Sequence, residues 1–217
     1  MATQTQHSDI PLPAPATGPD RHTGRAAASL QFLLESLRSP FAVGAVCPTS
    51  QRLAEALVRA APVSDARCIV ELGAGTGAVT ERIVQRQHAN STVVAIERNA
   101  AFASTLRQRF PSVHVRQECV TRLECTAAAQ GFDNADIVVS ALPWTLFSNR
   151  MCIDILDSIS NILAPGGCFV TIACLGLHTT ARGRAMRTAL ENMFSHFNPL
   201  SPIWMNLPPA LIYRCIR

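Results

Sequence analysis

Glu71, Gly73, Gly75, Gly77 and Glu97 are the residues whose types and spacing could do chemistry together. Glycines on alternate positions make a tight turn whose bare backbone lets a ligand approach its N–H groups. The dinucleotide fingerprint runs G-x-G-x-x-G and seats a pyrophosphate at a helix N-terminus. This loop runs E-x-G-x-G-x-G, and a carboxylate beside a pyrophosphate would repel it. An ammonium would be attracted instead. S-adenosylmethionine carries an ammonium as well as a sulfonium, and Glu97, ending the next strand, can accept both hydroxyls of its ribose. Glu118, just past a short third strand, can face the adenine amino group; its plain alternative is a solvated loop charge. The loop is therefore read as an S-adenosylmethionine site, with an empty tight turn as the competing reading.

Those residues need strands that end at them and helices that begin beyond them. Cys68 to Leu72 and Thr92 to Glu97 are apolar runs with an acid near the carboxyl end, and Ala135 to Ser140 and Cys168 to Ala173 are two more apolar runs. Val113 to Val115 is a shorter extended piece. Helical spacing marks Ala78 to Gln85, then a segment with Phe102, Leu106 and Phe110 closed by Pro111. It marks Asn149 to Leu163 too, with Cys152, Ile155, Leu156, Ile159 and Leu163 on one face, before APGG turns the chain. Apolar strands alternating with amphipathic helices predict an α/β fold with a parallel sheet covered on both faces. After a helix near Ala185 to Phe194, two extended runs, Leu200 to Met205 and Ala210 to Ile216, are joined by NLPP. They predict an antiparallel hairpin at one sheet edge.

Upstream, Leu30, Leu33, Leu34 and Leu37 recur at helical spacing between Arg25 and Arg38, until Pro40 stops the run. A second helix begins at Thr49 or Ser50, either of which can cap it, with Leu53, Ala54, Leu57 and Val58 on one face. The chain divides into a tail over residues 1–24, rich in proline and expected to be disordered, N-terminal helices over 25–62 and a catalytic domain over 63–217. The N-terminus lacks the basic start and apolar run of a signal peptide. A length of 217 residues suits one full α/β domain. A net charge of +4 is thin for a phosphate backbone and argues against nucleic acid. The eight cysteines form no C-x-x-C pair, which argues against a zinc site or a disulfide framework, and no metal is expected.

Beyond the glycine loop, the segments VGAVCPTS (Val43 to Ser50), VVSALPW (Val138 to Trp144), LAPGG (Leu163 to Gly167) and WMNLPPALIYR (Trp204 to Arg214) resemble the bacterial phospholipid N-methyltransferases. These are Rossmann-like, seven-stranded class I enzymes that use S-adenosylmethionine and convert phosphatidylethanolamine stepwise to phosphatidylcholine. The resemblance implies that fold, that cofactor, a phospholipid substrate, and a cytoplasmic protein peripheral on the inner face of the membrane. It maps the cofactor set onto Glu71, Gly73, Gly75, Glu97, Glu118 and Ser140, and extends it to Ser50, Thr76, Arg98, Cys119 and Leu142. Two departures stand out: Ser140-Ala141-Leu142-Pro143-Trp144 where S-G-L-P-L is usual, and Glu118-Cys119 where an aspartate is usual.

Methyl transfer to an amine is a direct displacement, so alignment and desolvation supply most of the catalysis. An ethanolamine head group must also lose a proton. Aromatic faces suit both the cationic donor and the increasingly cationic acceptor. Tyr213 and Trp144 are the aromatic candidates for the acceptor site, while Trp204 is expected in the core. His178 is the candidate proton acceptor. Arg182, Arg184, Arg214 and Arg217, with His178, are candidate phosphate donors, each also readable as a surface charge. The Leu30 to Leu37 stripe fits core packing on pattern alone; with the resemblance it is expected to lie on an anionic membrane surface. The competing functions are a small-molecule amine N-methyltransferase and an rRNA adenine dimethyltransferase. In the latter an N-L-P step is expected where Ser140-Ala141-Leu142-Pro143 stands.

Overall fold

The computed structural model of the chain describes residues 49–129 and 134–217. The tail and the leucine stripe, like Val43 to Pro48, lie outside them. Seven strands form one sheet: β1 (Cys68–Leu72), β2 (Thr92–Ile96), β3 (His114–Arg116), β4 (Ala135–Ser140), β5 (Leu163–Cys174), β6 (His196–Pro199) and β7 (Ala210–Ile216). Their order is β3-β2-β1-β4-β5-β7-β6. The first five run parallel; β7 is antiparallel to both β5 and β6. All five residues of β1 are buried, as a central strand covered on both faces requires.

Among the described residues six α-helices cover the sheet: α1 (Gln51–Arg59), α2 (Ala78–Arg86), α3 (Ala100–Arg109), α4 (Leu123–Ala129), α5 (Asn149–Ile162) and α6 (Ala181–Met193). The pleat divides β1 between two cores. Ile69 packs with Leu53, Leu57, Ile83 and Leu106 of α1, α2 and α3. Val70 and Leu72 pack with Leu123, Ile155, Leu156, Ile159 and Leu190 of α4, α5 and α6. Ser50 caps α1, its Oγ accepting from the Leu53 N–H at 3.2 Å. Asn99 caps α3 through the N–H groups of Ala101 and Phe102.

Two expectations are corrected, and one element was missed. The edge hairpin exists, but its first strand is His196–Pro199, not Leu200 to Met205. Pro202 has no N–H to give, and beyond Pro199 the pairing is reduced to the Leu200 N–H on Ile212 O and a single bridge between Ile203 and Ala210. Helix α4 has no counterpart in the sequence reading. The sixth helix starts at Ala181, ahead of Ala185. At the amino end of β5, the backbone of Arg217 pairs with Gly167 and Gly166.

Candidate functional site

The order of the parallel strands reverses between β1 and β4, and at such a switch point the loops leaving the two strands part to open a crevice. The glycine loop leaves β1 there. Gly73 has φ 74° and Gly77 φ 87°, a region L side chains avoid. A Cβ on Gly73 would meet Leu142 Cδ2 at 2.7 Å; one on Gly77 would meet Phe110 at 2.7 Å and Leu106 at 2.9 Å. The first glycine thus faces the β4 loop across the crevice, and the third seats α2 against α3. The Gly73 N–H is taken by Ile96 O at 2.8 Å. Thr76 is exposed, and its carbonyl accepts from Arg109 Nη1 at 2.6 Å.

Glu71 lies on the α2 side of β1, where the Thr80 hydroxyl donates to its carboxylate at 2.7 Å. Burial raises its pKa to about 7, with a further rise from the charge of Glu97; the Thr80 hydrogen bond opposes both. Glu97 follows β2 and is fixed on both oxygens, Oε2 by the Gly75 N–H at 2.8 Å and Oε1 by the Asn99 N–H at 2.7 Å. A carboxylate has about four lone-pair sites, so about two remain for a pair of hydroxyls. Arg98 beside it is exposed. Glu118 is half-buried and accepts the hydroxyl of Thr126 on α4. The Cys119 sulfur accepts from the Thr121 hydroxyl. Ser140 is fully buried, its Oγ accepting from the Leu142 N–H at 3.2 Å.

Leu72, Ser140, Thr171 and Tyr213 stand in one row across β1, β4, β5 and β7. Adjacent strands are about 4.8 Å apart, which puts Tyr213 roughly 10 Å from Ser140. Above this row is a cavity of about 60 Å³ whose walls include Leu142, Pro143, Trp144, His178, Met186 and Tyr213. Trp144 is pinned in its wall: the indole N–H donates to Thr171 Oγ1 at 2.7 Å, and Phe147 and Phe169 pack edge-on. Tyr213 is 2% exposed and leans on Phe197 at 5.1 Å; burial raises its pKa.

The remaining candidates separate by position. His178 Nδ1 accepts from the Gly176 N–H at 3.1 Å, so the neutral ring carries its proton on Nε2 and presents a donor, not the expected base. Arg182 donates to Thr145 O at the cavity wall, and Arg184 donates to Thr179 O. Arg217 instead donates to Leu163 O at the far end of β5. Arg214, between Tyr213 and Cys215 on β7, points to the opposite sheet face from Tyr213. Both are corrected as phosphate donors. Trp204, expected in the core, is 69% exposed.

The sequence reading missed Asn206. Its Oδ1 accepts from the Ser50 N–H at 3.0 Å, and its Nδ2 donates to Pro208 O at 2.8 Å. Ser50 Oγ also reaches Met205 O. The end of VGAVCPTS and the start of WMNLPPALIYR are therefore clasped together. The signal was a carboxamide between apolar neighbours in NLPP, with no partner visible nearby in sequence. Thr80 and Asn99, which hold the two acids, were missed for the same reason.

Residues 69–167 match the family described as "Methyltransferase domain". An ornithine lipid N-methyltransferase of Singulisphaera acidiphila is 33% identical over 85% of this chain and 93% of its own. A probable ribosomal RNA small subunit methyltransferase A of Methanosarcina acetivorans is 36% identical, over only 42% of this chain and 32% of its own. Among solved structures, 1,6-didemethyltoxoflavin-N1-methyltransferase of Burkholderia thailandensis, with bound S-adenosylhomocysteine, superposes with a TM-score of 0.63 at 17% identity, covering 95% of this chain and 93% of that one. An open glycine turn, a carboxylate buried behind it and a second with free lone pairs fit S-adenosylmethionine. The chain belongs to the bacterial lipid N-methyltransferases, class I enzymes whose cofactor is S-adenosylmethionine.

Proposed function

We propose that the protein methylates the primary amine of a membrane lipid head group at the membrane surface, taking phosphatidylethanolamine towards phosphatidylcholine. The observation that carries this reading is the likeness, over 85% of this chain, to an enzyme named for N-methylating a lipid. The cavity walled by Trp144 and Tyr213 supports it, since aromatic faces suit a cationic amine. S-adenosylmethionine, when bound, supplies a methyl group on a sulfonium. The chain's own residues do the rest. Gly73 and Gly75 leave room for the methionine part, Glu71 faces its ammonium, and Glu97 holds the ribose hydroxyls. Glu118, Ser140 and Leu142 border the adenine and the reacting carbon, with Ser50, Thr76, Arg98 and Cys119 completing the rim. Trp144 and Tyr213 offer ring faces to the amine and exclude water. Arg182, Arg184 and the Nε2–H of His178 serve the head-group anion. The proton of the incoming ammonium passes to solvent.

Ornithine lipid is the second reading, favoured by the named substrate of the Singulisphaera relative. It presents the same nucleophile and a carboxyl-derived head in place of a phosphate. The test is incubation with methyl-labelled S-adenosylmethionine and separate vesicles of each lipid, with free ethanolamine as a third arm. Label in phosphatidylethanolamine products supports the proposal. Label only in ornithine lipid moves the substrate to the second reading, and label only in the free amine overturns the lipid assignment.

A further inference from the structure

Three of the four large apolar side chains exposed among the described residues crowd into one turn: Trp204 at 69%, Met205 at 60% and Leu207 at 73%. The turn is built, not loose. Asn206, in its middle, is 6% exposed and holds both Ser50 and Pro208. Ile203 bridges Ala210, and the Leu175 N–H donates to Pro209 O at 2.7 Å. With Asn206 turned inward, its three neighbours are held outward. Leu175 follows Cys174, which lines the small cavity, so the turn stands on the cavity's rim.

Arginines flank it on both sides, and Glu55, one turn beyond Arg52 on α1, is itself paired with Arg59 and Arg86. Arg52 reaches the Met205 sulfur at 2.6 Å. Arg182 and Arg184 are exposed beside the cavity on the other flank. The sequence has no acidic residue between Asp157 and Glu191 and none after Glu191. A tryptophan and two aliphatic side chains bordered by arginines have the composition of an interfacial anchor on an anionic leaflet. A second copy of the chain is a poorer occupant, since three side chains fall short of the roughly 800 Å² per partner of a stable interface.

We propose that the turn Trp204 to Leu207 inserts into the interfacial layer of an anionic phospholipid bilayer and sets the cavity's mouth against the head groups. This deepens the lipid reading above and rests on it for its biological sense, although the binding itself does not need catalysis. The test uses the full chain and vesicles of phosphatidylcholine containing phosphatidylglycerol, some with brominated acyl chains. The sequence has two tryptophans, and Trp144 is 5% exposed. Brominated vesicles should quench the protein's emission, and Trp204→Phe should abolish the quenching while vesicle binding persists. Trp204→Glu with Leu207→Glu should weaken vesicle binding at least about tenfold, with the circular dichroism spectrum and S-adenosylmethionine affinity unchanged. Quenching that survives Trp204→Phe overturns the proposal, as does wild-type vesicle binding by the double variant. A lipid-free dimer abolished by the double variant would make the patch a self-interface, and Trp204 shielded from acrylamide without lipid would mean the chain covers it; both overturn it. Because binding is read without methylation, failure of the substrate reading leaves this result standing, and the converse holds.

Discussion

Glu71 is an acid set out of reach of water, and its pKa of about 7 lies above the ordinary 4.5. The folded state thus keeps a proton that the unfolded chain has released. The free protein is stabilised by this below about pH 4.5 and loses that contribution as pH rises through 7. A ligand ammonium beside Glu71 would favour its ionised form and expel the proton. Cofactor affinity is therefore expected to rise several-fold from pH 6 to about pH 7.5, before the ligand's own α-ammonium loses its proton, and Glu71→Gln should flatten that rise. Calorimetry in two buffers of different ionisation enthalpy would register the released proton. Glu97→Ala should weaken cofactor binding by about 1–3 kcal/mol, because two hydroxyls lose a charged acceptor; an unchanged dissociation constant would end the ribose assignment. Tyr213→Phe keeps the ring on Phe197 and removes the hydroxyl, so lipid methylation should fall partially with cofactor affinity intact. Rates equal to wild type would reduce the hydroxyl to a bystander.

At the level of elements, the Ser50–Asn206 clasp joins the start of α1 to the β6–β7 turn. Asn206→Ala leaves the half-buried Ser50 N–H without its acceptor, a loss of about 1 kcal/mol. Leu would fill the space no better. Chemical denaturation should detect this, and hydrogen exchange should rise at Ser50 before it rises in β1. Which elements were legible in sequence follows from their physics. The parallel strands announce themselves because burial on both faces, as in Ile69 to Leu72, leaves continuous apolar runs. Glu71 and Glu97 were legible with them, since a strand end locates its acid. Helix α4 was not, because Leu123 and Ala127 give too small an apolar stripe to set a period. The edge strand β6 hides behind His196 and Asn198, polar residues that an exposed edge tolerates. Trp204 looked like core because burial is the usual fate of indole, and its exposure depends on Asn206 turning inward. Long-range pairing of that kind leaves no local trace.

On the scale of the whole molecule, the residues proposed to hold the cofactor stand at the ends of four strands, β1 to β4, and draw on both cores, so binding should brace the domain rather than one loop. Cofactor at 100 times its dissociation constant should add about 2.7 kcal/mol. For a domain of this size that raises the melting temperature by about 5–10 °C in scanning calorimetry. A rise confined to a minor early transition would mean that the glycine loop melts by itself. No helix among the described residues is long and apolar enough to cross a membrane. The pairing of Arg217 with Gly166 and Gly167 has a practical side. It moors the last residue at the amino ends of the parallel strands, the pole away from the cavity, whereas Thr49 and Ser50 stand beside the Trp204 turn. A purification handle or surface tether placed after Arg217 would hold the molecule by its back and leave the working pole facing outward.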